Sequence, residues 1–194
     1  MNRTLSLMAL MVLLICGSTT WANLVPNADF SQGSDGILTS WASDGNAVPQ
    51  APKSFTTQRN VTVSWDSSSA GDAKGSLKMI ADTTHAKRAF GLVASPYIPV
   101  KEGYKYDFDF TYRAEGLASE NKDRTSHCSI IIDLFFHAYV PGTQQRGKFV
   151  GGFRQLTSTN SLGWTPIDIH GGMKRTFTVP QGADVVQVRV QLTN

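Results

Sequence analysis

YKYDFDFTYR, residues 104–113, is the stretch whose reading decides the fold class. Tyr104, Tyr106, Phe108, Phe110 and Tyr112 alternate with Lys105, Asp107, Asp109, Thr111 and Arg113. A β-strand turns successive side chains to opposite faces, whereas a helix would scatter both sets round its circumference. The alternation therefore predicts a strand with an aromatic core face and a polar outer face. SIIIDLFFHA, residues 129–138, behaves the same way, with Ile130, Ile132, Leu134, Phe136 and Ala138 on one side. Ser129, Ile131, Asp133, Phe135 and His137 lie on the other. VVQVRVQL, residues 185–192, sets Val186, Val188, Val190 and Leu192 against Gln187, Arg189 and Gln191.

Shorter strands are expected at Leu24–Val25, Val61–Trp65, Ser76–Ala81, Phe90–Val93, Tyr97–Val100, Lys148–Leu156 and Lys174–Val179. Gly, Pro, Asn and Asp clusters separate them, and helical periodicity is nearly absent. DSSSAGDAKG, residues 66–75, and the charged stretch from Glu115 to His127 read as long polar loops. About ten strands at this spacing point to an all-β antiparallel sandwich of two sheets, of jelly-roll type.

Residues 1–22 read as a secretory signal: Arg3 precedes the apolar run Leu5–Ile15, and Thr20-Trp21-Ala22 ends in a small residue. The run is shorter than the roughly 20 residues that span a bilayer. Cys16 raises a lipoprotein alternative, but Ile15 is not the small residue such sites place before the cysteine. The expectation is a secreted chain, extracellular or periplasmic, with no membrane span. Cys128 then remains alone and reads as a small buried hydrophobe. The net charge is +3, of which Arg3 contributes one, leaving a mature +2 with scattered basic residues. That balance excludes a nucleic-acid surface. No phosphate loop, nucleophile elbow or metal-ligand spacing among His85, His127, His137 and His170 is found.

Three pieces in order carry a family resemblance: NLVPNADFSQG from Asn23; GSLKMIADTTHAKRAFGLVASPYIPVKEGYKYDFDFTYRAEG from Gly75 to Gly116; and Trp164 to Leu192, with its Val-Pro-x-Gly-Ala segment. Together they resemble the CenC-type carbohydrate-binding modules, families four, nine, sixteen and twenty-two, over nearly all of residues 23–194. The resemblance implies a galactose-binding-domain-like jelly roll that binds polysaccharide or oligosaccharide without catalysis. It further implies a covalently linked catalytic domain, as in an extracellular glycoside hydrolase. Such modules close with a further strand, so residues 23–194 are expected to lack the last one. They also carry an acidic residue after the opening Phe, where it helps hold a structural calcium ion; Ser31 stands there in this chain. Asp29 and Asp35 are the candidate calcium ligands, while Asx-turn chemistry around Gly33 and Gly36 accounts for both with no ion.

If the three clear strands share a sheet, their polar faces form one surface. The candidate carbohydrate-binding residues are Asp109, Arg113, Asp133, Phe135, His137, Gln187 and Arg189. Sugar hydroxyls take paired donors and acceptors, and sugar C–H faces stack on aromatic rings. The bland alternative is the solvated face of an antiparallel sheet. Trp65, alternating with Val61 and Val63 beside a polar loop, is either core or a stacking platform at the groove rim. The resemblance implies that Trp41 and Trp164 are core residues, since they stand where such modules place packing side chains. Asp107 and Asp109, about 7 Å apart along a strand, match the carboxylate spacing of inverting glycosidases, as do any two acids at i and i+2. Two other classes stay open: a structural or adhesion sandwich with no glycan ligand, and a glycan-active hydrolase. Asn60 heads a glycosylation sequon and is expected at the surface.

Overall fold

The computed structural model describes residues 23–34, 37–38, 40–41, 60–68, 75–82, 89–117, 129–143, 145–157, 160–166 and 176–193. The signal segment with Cys16, and also Asp35, His85, Cys128, His127 and His170, lie outside the described residues. Within them the protein is all-β and antiparallel. The strands are β1 (Gly33–Ser34), β2 (Ile37–Leu38), β3 (Val61–Asp66), β4 (Ser76–Ala81), β5 (Phe90–Ala94), β6 (Ile98–Pro99) and β7 (Lys105–Asp107). They continue with β8 (Thr111–Ala114), β9 (Ser129–Tyr139), β10 (Arg146–Thr157), β11 (Ser161–Pro166), β12 (Thr176–Thr178) and β13 (Val185–Thr193).

One five-stranded sheet dominates, in the order β10-β9-β13-β5, with β6 pairing the start of β13. Its inner face carries Ile132, Leu134, Phe136, Val186, Val188, Val190 and Leu192, all buried, as the period-two pattern of both strands requires. Three two-stranded ladders, β3-β4, β7-β12 and β8-β11, cover that face. Phe177 of β12 sets its ring against Phe136 at 5.6 Å and Phe153 at 5.7 Å. Tyr106 of β7 stacks on Phe177 at 6.0 Å, and Tyr112 of β8 reaches Thr157 of β10 at 3.4 Å. Gly91 of β5 lies so close to β3 that an added Cβ would stand 2.4 Å from Val61 Cγ1. The layers form a sandwich with a dry aromatic and β-branched core between them.

Three expectations are corrected. The stretch 104–113 is not one strand: β7 and β8 are separate short pieces with different partners. Tyr104 precedes β7 beside the left-handed Gly103 (φ 76°) and is exposed, with Lys101 Nζ 4.5 Å above its ring. The opening residues Leu24–Val25 form no strand; they lead into a turn over residues 26–29, with Asn27 and Phe30 in left-handed conformation. Trp164 is not core. Between the pairs Ser161↔Ala114 and Thr165↔Tyr112, three residues of β11 face one of β8. Such a bulge lifts its residues off the sheet, leaving Leu162 85% and Trp164 38% exposed. Trp41 is buried as expected, its indole N–H donating to Pro26 O at 3.1 Å.

Candidate functional site

The outer face of the five-stranded sheet follows from register. His137 lies opposite Phe149 on β10 and Val185 on β13; Phe135 opposite Gly152 and Gln187; Asp133 opposite Arg154 and Arg189; Ile131 opposite Leu156 and Gln191. Directly opposed residues share a face, so these rows form one surface. A register shift between Phe149 and Gly151 marks a bulge in β10. It sends the Phe149 ring against both Phe135 (5.4 Å) and His137 (5.6 Å), above the space that Gly152 leaves unfilled.

This face is not an ordinary solvated one. Asp133 and Gln187 have no exposed surface, and His137 is only 6% exposed. Asp133 accepts from Arg154 through both carboxylate oxygens, at 2.6 and 3.0 Å, and also from Gln191 Nε2. The bidentate fork holds the Arg154 guanidinium above its ordinary proton affinity, chiefly through its bonding to Asp133. Gln187 donates to Ser95 O at 3.0 Å and accepts from Arg189 Nε at 2.9 Å. Arg189 places its guanidinium 4.3 Å from the Phe135 ring centroid, a cation–π contact. Phe135 is therefore covered on one face by Arg189, and Phe149, 50% exposed, is the aromatic ring open to solvent.

The break between β5 and β6 completes the site. Ser95 locks this corner to β13: its N–H donates to Val188 O, and its hydroxyl accepts from Val188 N–H. Tyr97, two residues on, is held edge-on to His137 at 5.9 Å. Arg146 Nη1 donates to the Tyr97 hydroxyl at 3.1 Å. Burial, reinforced by the charges of Arg146 and Arg189, depresses the His137 imidazole below the ordinary histidine value, with the Gly147 backbone acting weakly the other way. Apart from this Gly147 backbone approach, which falls short of hydrogen-bond geometry, neither ring nitrogen of His137 finds a partner among the described residues. Burial and repulsion from Arg146 also lower Arg189, while Tyr97 and Asp133 favour its charged form.

Five of the sequence candidates thus meet on one face: Asp133, Phe135, His137, Gln187 and Arg189. Asp109 and Arg113 do not join them. They are exposed on the β7–β8 side of the sandwich, because those strands pair with β12 and β11 in the opposite layer. Asp107 hydrogen-bonds Thr176 across β7-β12, so no carboxylate of that stretch faces Asp133. Trp65 is a packing residue. Its indole N–H donates to Phe30 O at 2.9 Å, and its ring fills the space over Gly33 and Gly75, where an added Cβ would stand 2.4 and 2.3 Å from it. Asp29 accepts from Ser31 N–H at 3.2 Å, the Asx-turn geometry. Among the described residues no group of three or more His, Cys, Asp or Glu could hold a metal ion. No helix of the described residues is long and apolar enough to cross a membrane.

Tyr97, Arg146, Phe149 and Arg154 were not legible as site residues. Tyr97 is fixed by a corner, and the bulge at Phe149–Gly151 breaks the alternation that would have marked β10's outward side chains. No protein-family model matches the chain, and neither a curated protein nor a solved structure does.

Proposed function

We propose that the protein is a non-catalytic, exported saccharide-binding module of the jelly-roll, galactose-binding-like kind, accessory to a glycan-degrading enzyme. Its ligand lies across the outer face of the five-stranded sheet. The observation that carries this reading is the half-exposed Phe149 ring, packed on Phe135 and His137, on the same sheet face as polar side chains already fixed by hydrogen bonds. Asp133 and Gln187 are anchors beneath the surface; Arg189, Arg154 and Gln191 are the groups they hold in place. A sugar ring can stack its C–H face on Phe149 while its hydroxyls meet a pre-oriented set of donors and acceptors. Such a surface binds modestly, because each hydroxyl exchanges water for protein partners.

The test is native affinity electrophoresis against xylan, mixed-linkage glucan, laminarin, cellulose, mannan and pectin. Retardation by one class, lost in Phe149→Ala and kept in Arg113→Ala, is the expected result. No retardation of a folded sample by any polysaccharide would sink the reading. One observation favours a second reading, a structural or adhesion domain. The β11 bulge offers Leu162 and Trp164 to solvent on the other side of the sandwich, as a surface that packs on a neighbouring domain would.

A further inference from the structure

We infer that the saccharide bound by this face carries an anionic group, a carboxylate or a sulfate, received by Arg146 and Arg189 beside Tyr97. The inference rests on the saccharide-binding reading and deepens it.

Two guanidiniums converge here from different strands. Arg146, at the start of β10, donates to the Tyr97 hydroxyl, and its Cζ lies 6.0 Å from that ring's centroid. Arg189, on β13, feels the same side chain: burial lowers its proton affinity, and Tyr97 opposes that by favouring the charged form. Each is held from behind. Gln187, itself fixed by Ser95, accepts from Arg189 Nε, while Phe135 supports the guanidinium plane. A planar fork pre-oriented in this way suits the bidentate oxygens of carboxylate and sulfate.

The surrounding charges point the same way. Asp133, the acid on this face, gives both its oxygens to Arg154 and one also to Gln191. Asp184, just before β13, accepts from Tyr139 N–H. Burial lowers Arg189 and His137 first of all, and repulsion by the Arg146 charge adds to it at both, as that by Arg189 does at His137. A neutral sugar leaves that repulsion in place, whereas an anion relieves it. His137 adds a nearly buried imidazole edged by Tyr97 and Phe149, whose nitrogens make no well-formed hydrogen bond among the described residues although the Gly147 backbone lies near enough to favour its charged form. Native proteins leave few such atoms without a partner.

The experiment measures retention of the full chain by matched pairs: polygalacturonate against its methyl ester, and a sulfated galactan against the desulfated polymer. The expected result is binding of one charged member at least ~10-fold tighter than its neutral twin, a factor of ten corresponding to one contact worth about 1.4 kcal/mol. That binding weakens as salt rises from low to physiological ionic strength. Retention by the polyuronate identifies a carboxylate ligand, and retention by the sulfated galactan a sulfate. Arg146→Gln, at an exposed position that should spare the melting temperature, reduces retention several-fold, and Arg189→Gln reduces it further. Lys105→Gln, in the opposite layer, leaves it unchanged. Equal or better binding of the neutral twins overturns the anion inference and leaves the saccharide reading standing. No binding to any of these four polymers overturns the anion inference, while the saccharide reading falls only if the wider polysaccharide panel also fails to retard the protein. Charged-polymer retention lowered equally by Lys105→Gln and Arg146→Gln marks diffuse charge attraction and also overturns the inference.

Discussion

The pair of Asp133 and Arg154 joins a carboxylate with no exposed surface to an arginine side chain that is 56% exposed. That asymmetry makes the two single substitutions unequal. Arg154→Met keeps the apolar stem and removes the fork, so the Asp133 charge stays buried with Gln191 as its remaining partner among these three residues. Breaking a buried ion pair from the solvent-facing side strands a charge in low dielectric and costs about 3–5 kcal/mol. Asp133→Leu removes the buried charge instead. Arg154 then rehydrates, and the loss is that of its charge-assisted bonds, about 1.5–3 kcal/mol. The double variant Asp133→Leu/Arg154→Met buries apolar groups of similar volume and should return to within about 1 kcal/mol of the parent. Urea unfolding reads the series. With a slope of about 1–3 kcal/mol per molar, the Arg154→Met midpoint falls by roughly 2 M. A loss below about 1 kcal/mol for Arg154→Met, the level of a surface ion pair, would refute the claim that Asp133 is a buried anchor.

Further expectations concern the core, Trp65 and His137. Gly91→Ala drives a methyl group into Val61 and Met79 and should destabilise by about 1–3 kcal/mol in thermal or urea unfolding; a neutral outcome would mean that β3 and β5 pack more loosely than described. Trp65→Phe loses the indole bond to Phe30 O, at a cost of about 1 kcal/mol, and should leave glycan retention unchanged; lost retention in a folded variant would restore Trp65 as a stacking platform. Burial and the two arginines hold His137 below its ordinary value, so the unfolded chain takes up its proton first as pH falls. The contribution is therefore full above about pH 6.5 and is lost on acidification from there toward the folded value, by at most about 1.4 kcal/mol per pH unit. Stability compared at pH 7.5 and 5.5 should fall less in His137→Phe than in the parent; identical losses would contradict the assignment.

The all-β sandwich was legible because β9 and β13 alternate without interruption, and their apolar residues fill the core as the alternation requires. The same register brought Asp133, Phe135, His137, Gln187 and Arg189 onto one face. What periodicity cannot carry is which strands are neighbours. Asp109 and Arg113 show the same polar alternation as Asp133, yet β7 and β8 pair with β12 and β11 across the sandwich. Bulges hid the remainder. One in β11 lifts Trp164 out of the core position its residue type suggests, and one in β10 turns Phe149 outward onto Phe135 and His137. Trp65 looked equally suited to core or rim, and only the glycines against its ring and the Phe30 carbonyl at its indole decide for packing. The polar face also proved drier than a solvated face, because Arg154, Gln191, Ser95 and Arg189 lie over or against Asp133 and Gln187.

The central claim is that one face of the five-stranded sheet binds the saccharide. Its most direct test is titration calorimetry, with whichever polysaccharide retards the protein, on four variants that stay folded. Phe149→Ala and Arg189→Ala should each weaken binding about tenfold or more, as expected for loss of a stacking or charged contact worth about 1.4 kcal/mol. Asp109→Ala and Arg113→Ala, on the opposite layer, should bind like the parent. Full affinity in the first two together with loss in the second pair would place the ligand on the other face and contradict the account.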